Sequence, residues 1–339
     1  MIRNVLFLPA LASILSLVHS PAQCKDLIIL DHVPPNANAL LVIDAERLYE
    51  SPLARSEEWS KQHAEGREAG GIHLPAGTQQ LISASSVDFR HLRPAWQAVV
   101  VRMDSPPKLN VIAEKTGGHI DMIGITPTVM LPHDASLIEF DDHTVGILAP
   151  ANRQRASQWL DYRGQSNRFR SPFLEGVAEH IHSAKPQVII GLDLQGFLSK
   201  EFVALALSAT SDGDVAKQDA EKMTAHAAQL AGLETCLFGA NVDKQITGTL
   251  RLTFHELLTV KPDQLKHLVS TVLEDSRIEI ADFATWKPTI IGSTAEFTGQ
   301  LTSDELRRIV GILESPTNWL VDSQRTNQLV DLDSGEATG

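Results

Sequence analysis

"ALLVIDAERLYESPL", residues 39–53, carries an apolar run straight into an aspartate and then into a helix-like segment. "VIIGLDLQGFLSKEF", residues 188–202, does the same, with Asp193 in the slot of Asp44. An unbroken apolar run of this length reads as a strand buried on both faces. The recurrence of strand, aspartate and helix points to a structural unit built twice. In the first copy Ser51 and Pro52 have the form of a helix N-cap followed by proline at the first helical position. A second such pair, Ser171-Pro172, stands upstream of the second copy.

Outward from these anchors, strand patterns come in close succession over 96–103, 119–125, 128–132, 136–140 and 144–150. Asp141-Asp142-His143 fits a tight connection between the last two. A helix is expected over 151–160. In the second half, Phe173, Val177 and Ile181 make a helical stripe, and a strand follows at 188–192. A helix is expected over 196–207 and an Ala-rich one over 216–231. "TCLFGANV" and "ITGTLRLTF" pair as a hairpin across Asp243-Lys244. Pro262 opens a helix with Leu265, Leu268, Val269, Val272 and Leu273 on one face. Thr302 and Glu305 form a capping box ahead of the stripe Leu306, Ile309, Val310 and Leu313. Residues 64–80, rich in Gly and polar side chains, read as a loop.

This order of elements predicts an α+β fold of two fused, degenerate repeats, each a mostly antiparallel sheet packed against amphipathic helices. The repeats are placed at 25–161 and 171–320, with the Arg-rich polar stretch 162–171 between them. Residues 321–339 form a tail with little apolar content.

The N-terminus has its own signature. Arg3, an apolar run over 5–18 interrupted by Pro9, and Ser20-Pro21-Ala22 describe a secretory leader cut after Ala22. Residues 1–22 are therefore read as a signal peptide and the mature chain as exported, periplasmic or extracellular. A lipid anchor at Cys24 is the competing reading, with Gln23 a poor fit before it. Cys236, in an apolar strand, is either a partner for Cys24 or an inert small hydrophobe. The net charge of −13 becomes −14 once Arg3 leaves with the leader. An acidic body without a Lys/Arg cluster argues against nucleic acid and anionic membrane surfaces as partners.

"VPPNANALLVIDAERLYESPLARSEEW", "ILAPANRQRASQWL" and "STAEFTGQLTSDELRRIV" together resemble a group of uncharacterised exported proteins from planctomycete-type bacteria. That resemblance implies an exported α+β protein. It brings no catalytic residue to this chain.

The residues with some claim to chemistry are few. A haloacid-dehalogenase-type phosphotransferase needs Asp-x-Asp after its first strand, one carboxylate attacking phosphorus and the next acting as acid or base. Here the runs are Asp44-Ala45-Glu46 and Asp193-Leu194-Gln195. The second copy lacks the second acid, so Asp44 and Asp193 read first as helix caps and second as catalytic acids. His133, Asp141, Asp142 and His143 are candidates to converge across a hairpin as a metal or acid/base set. His180 and His182 point apart on a helix and cannot share an ion. The five tryptophans, Trp59, Trp96, Trp159, Trp286 and Trp319, sit beside apolar runs and are core candidates. No nucleophile elbow, Walker loop, dinucleotide fingerprint or complete EF-hand occurs. No cofactor is called for. The resulting expectation is a non-enzymatic binding or assembly protein of the envelope. The competing expectation is an envelope hydrolase with its site in the cleft between the repeats.

Overall fold

In a computed structural model the chain is described over residues 28–64, 74, 77–89, 93–106, 108–132, 134–162, 171–201, 203, 227–275, 280 and 283–314. The leader, Cys24, His133, most of the 64–80 and 204–226 stretches, and the tail lie outside those residues.

The first half begins with a 3-10 turn, Ile28–His32, and strand β1, Ala39–Asp44. Three short helices follow: α1, Ala45–Glu50; α2, Pro52–Ser56; and α3, Trp59–Ala64. The remaining elements are β2 (Thr78–Asp88), β3 (Arg93–Met103), α4 (Leu109–Thr116), β4 (His119–Ile123), β5 (Thr126–Leu131), β6 (Ala135–Asp141), β7 (Thr144–Ala149) and α5 (Arg153–Tyr162). The second half holds α6 (Pro172–Ala184), β8 (Val188–Asp193), β9 (Leu233–Val242), β10 (Ile246–Phe254), α7 (Pro262–Asp275), β11 (Lys287–Ile291), β12 (Thr294–Leu301) and α8 (Ser303–Glu314).

All twelve strands of the described residues lie in one antiparallel sheet, in the order β11-β12-β10-β9-β8-β1-β2-β3-β7-β6-β5-β4. The two halves meet where β1 pairs with β8, and the register there is informative. Leu41 faces Ile190, Ala39 faces Leu192 and Ile43 faces Val188. Superposing the two quoted segments on Asp44 and Asp193 matches Leu41 with Ile190, so the pair at the centre of the ladder consists of equivalent residues. The halves are therefore related by a local two-fold axis through that pair. Outward from it, β1, β2, β3, β7 and β6 correspond in order to β8, β9, β10, β12 and β11. The β4–β5 hairpin extends the first half alone.

One apolar cluster lies on each face of the sheet. Leu41, Ile43, Val188, Ile190, Phe238 and Val101 point to one face, with α1, α7 and α8 packed over it. Leu40, Val42, Ile189, Ile82 and Val100 point to the other, under α5 and α6. β1 is buried along its whole length, as its unbroken apolar run requires. The duplication is broken in the helices too: the closing helix α5 packs on one face and its counterpart α8 on the opposite face. The space for bulky rings differs accordingly. In β7, Gly146 leaves room for Phe140 and Trp159. In β10 and β12, the paired Gly248 and Gly299 make room on the other face for Trp286. Trp96, Trp159 and Trp286 are buried, Trp59 packs partly buried against the core, and Trp319 lies outside the described residues.

Several sequence expectations need correction. Residues 78–80 belong to β2 rather than to a loop, and the rest of β2 lacks the alternation of a strand with one wet face. Its run "TQQLISASSVD" buries Leu81, Ile82, Ala84 and Ser85 and leaves most of its other side chains half-buried, so no period of two shows. α4 was not anticipated. After Asp193 the chain makes a turn at residues 195–197, with Gly196 at a φ of 71°, before helical residues at 200, 201 and 203. The rest of the helix expected over 196–207 lies outside the described residues.

Candidate functional site

The backbone around the β1–β8 junction repeats bond for bond. Asp44 N–H donates to the carbonyl of Gln187 at 2.8 Å, and Asp193 N–H donates to the carbonyl of Asn38 at 2.8 Å. Asn38 and Gln187 each stand one residue before their strand. The Asn38 carboxamide donates to the carbonyl of Val87 at 2.8 Å and accepts from its N–H at 2.7 Å. The Gln187 carboxamide makes the same pair of bonds with Val242, at 2.9 Å each. Each amide acts as one extra rung of the ladder where the strand ends, satisfying backbone groups that burial would otherwise leave unmet. Reading the residues missed this pair. The available signal was small: extending the two matched segments one residue upstream places a carboxamide in both copies.

Asp44 is the N-cap of α1. Its Oδ1 accepts from Arg47 N–H at 3.2 Å, and its Oδ2 lies 3.5 Å from Arg47 Nη1. Arg47 Nη2 reaches on to the Lys185 carbonyl at 2.8 Å, tying α1 to the end of α6. Burial pushes the Asp44 carboxyl above its ordinary range, opposed by the Arg47 N–H and guanidinium. Asp193 Oδ1 accepts from Gln195 N–H at 3.2 Å, closing a turn rather than capping a helix. The two aspartates end antiparallel partner strands at opposite ends of the ladder. Six residue steps separate them, about 20 Å along the strands. They do not share a site.

The 141–143 candidates form a closed turn. Asp141 Oδ1 accepts from His143 N–H at 2.8 Å, and His143 Nδ1 sits 3.0 Å from the Asp104 carbonyl and 3.3 Å from that of Met103. A carbonyl can only accept, so Nδ1 carries the proton. Asp142 is exposed at the tip. His133 lies outside the described residues. Asp134, just before β6, and Asp141, its last residue, stand seven residue steps or about 23 Å apart. Among the described residues no three His, Cys, Asp or Glu side chains gather as a metal site. Cys236 packs against the core from β9, and burial pushes its thiol up to about 12, away from thiolate chemistry at neutral pH.

A second polar feature lies on the face of the second half opposite α7 and α8. There the strands alternate apolar-in and polar-out. Thr247 faces Gln300, Thr249 faces Thr298, Arg251 faces Glu296 and Thr253 faces Thr294 across β10 and β12. Thr289 and Lys287 of β11 continue these rows. α6 borders the array, where His180 lies over Gly239 in β9: a side chain on Gly239 would meet the imidazole Nε2 at 2.9 Å. His180 is buried, and its Nε2 has no hydrogen-bond partner among the described residues. Burial, with Arg251 nearby, holds its pKa below the ordinary histidine value, and Glu296 acts the other way. His182, two residues on, is exposed.

The fold and these sites define an α+β protein built on one antiparallel sheet, with its strand-end aspartates engaged by backbone amides. No family model matches the chain, and no curated protein matches it. Among solved structures it is similar to TP0453, a Treponema protein. Crystal form I of TP0453 aligns at 13% identity and a TM-score of 0.46, over 84% of this chain and 96% of that one. Crystal form III aligns at 14% identity and a TM-score of 0.48, over 83% and 96%. No residue role is carried over from either. Among the described residues no helix is long and apolar enough to cross a membrane.

Proposed function

We propose that this is an exported protein that works by binding or assembly in the cell envelope rather than by catalysis. The observation that carries the reading is the separation of Asp44 and Asp193. The two residues with the clearest claim to chemistry sit about 20 Å apart, each spent on a local backbone bond. The polar array of β10, β12 and β11 is the surface best placed to meet a partner. It is a broad row of hydroxyl and charged side chains on strands whose other face is packed under α7 and α8. Export rests on Arg3, the apolar run 5–18 and Ser20-Pro21-Ala22, and on the resemblance to exported planctomycete-type proteins.

The test uses the full-length chain in a bacterial host. Mass spectrometry of the mature N-terminus should show cleavage after Ala22; a lipid on Cys24 would place the chain as an anchored subunit instead. Purified mature protein should co-sediment with isolated envelope fractions. Thr249→Lys with Thr298→Lys should abolish this, and Asp44→Asn should not. A hydrolytic activity lost in Asp44→Asn, or sedimentation indifferent to the threonine variants, would overturn the reading.

A further inference from the structure

A sheet of this kind has two edges, and an open edge invites another strand. At one end β11 carries Pro288, which has no N–H to offer, beside exposed Lys287. At the other end β4 carries neither proline nor lysine. It is instead flanked by exposed apolar side chains: Ile120 at 52%, Met122 at 44% and, in the turn after the strand, Ile125 at 94%. Val111 of α4 is exposed as well. The β11 strand has one large exposed apolar side chain, Ile291 at 76%, whereas the β4 margin groups Ile120, Met122 and Ile125 together.

Its backbone is closed by side chains. β4 and β5 are joined by the two-residue turn Gly124-Ile125, with Gly124 at a φ of 61°. In such a hairpin the flanking pair, Ile123 and Thr126, bonds inward, so alternation turns the N–H and carbonyl of Met122 and Ile120 outward. Both outward groups of Met122 are occupied. Its N–H donates to Asp121 Oδ1 at 2.7 Å, and its carbonyl accepts from Arg153 Nη2 at 2.7 Å. Arg153, the first residue of α5, also forms an ion pair with Asp121 through Nη1 and Oδ2. The three groups form a closed ring on the edge, and among the described residues of β4 only Ile120 keeps its outward pair of backbone groups available for a ladder.

We propose that Asp121 and Arg153 are a latch on the β4 edge that keeps a second copy of this chain from adding its own β4 there. The occupant held off is a second copy because the edge is self-complementary: antiparallel pairing about Ile120 would bring together two apolar rows and two sets of outward backbone groups. With the latch closed, that pairing loses the Met122 groups and meets a fixed guanidinium and carboxylate.

The test is analytical ultracentrifugation of the full mature chain over a wide concentration range. Wild type should sediment as a monomer. Asp121→Ala with Arg153→Ala should associate at least about tenfold more strongly, toward a dimer. Far-UV circular dichroism should be unchanged, because both side chains are partly exposed. Adding Ile120→Pro, which removes an outward N–H and no internal bond, should return the double variant to monomer. A double variant that stays monomeric, association that Ile120→Pro does not reverse, or a wild type that already dimerises through this edge would each overturn the proposal.

Discussion

Replacing Gln187 with methionine isolates the contribution of the strand-end carboxamide. The side chain is buried at 9% exposure, and methionine keeps its length and approximate volume. What is lost is the bond pair with Val242, one N–H and one carbonyl, both at 2.9 Å. Val242 is itself 2% exposed, so both backbone groups are left largely out of reach of water. An unmet buried donor or acceptor costs roughly 1–3 kcal/mol. The exposed turn just beyond Val242 lets water reach part of the gap, so the expected loss is about 2–4 kcal/mol in all. Urea unfolding should show a lower midpoint with an unchanged slope. The equivalent Asn38→Leu removes bonds of 2.8 and 2.7 Å from a half-buried position and should cost about 1–2 kcal/mol. The two sites lie about 20 Å apart with no shared partner, so the double variant should equal the sum within about 0.5 kcal/mol. A Gln187→Met midpoint indistinguishable from wild type would refute the reasoning. It would mean the amide rung is a consequence of the strand pairing and contributes nothing to holding it.

Gly248→Ala should destabilise by about 1–3 kcal/mol, because the new Cβ would stand 2.7 Å from both Trp286 and Leu301 in a close-packed core; thermal denaturation and near-UV circular dichroism of Trp286 report it. Asp44→Asn keeps the cap. Because the folded carboxyl titrates above its unfolded value, the folded state binds the extra proton, and wild-type stability falls as pH rises from about 4 through that raised value. The asparagine variant should therefore match or exceed wild type at pH 7 and lose that advantage toward pH 4, as read by urea midpoints; a deficit at pH 7 contradicts this. His180 has the opposite sign. Its folded pKa lies below the unfolded value, so the unfolded state takes up the proton first, and stability falls as pH drops below about 6.5. His180→Gln should flatten that dependence, and an unchanged pH profile would remove His180 as its source.

Much of the local plan is legible in the residues. Ser51 and Ser171 cap their helices from the hydroxyl, each followed by proline, as their position beside the apolar runs requires. The box at Thr302 and Glu305 forms with bonds of 2.7 and 2.9 Å to the Glu305 carboxylate. The β9–β10 hairpin forms where expected, through the three residues Asp243-Lys244-Gln245. β2 is not legible because many of its side chains are half-buried Thr, Gln and Ser, and its buried residues Leu81-Ile82 and Ala84-Ser85 come in adjacent pairs rather than with a period of two. Of the candidate site, the strand-end location of Asp44 and Asp193 was readable, and their separation was not.

Caps, turns and helical stripes depend on residues within four or five positions of one another, so the chain by itself determines them, together with the echo of 39–53 at 188–202. The pairing of β1 with β8 joins segments whose equivalent residues are 149 positions apart. Backbone hydrogen bonds look the same from any strand and carry no address. Which edges meet, at which register, and which face receives α5 and which α8 follow from simultaneous burial of both faces and from where Gly146, Gly248 and Gly299 leave room for rings. Only the assembled sheet decides that, and it alone set the two aspartates at opposite ends of one ladder.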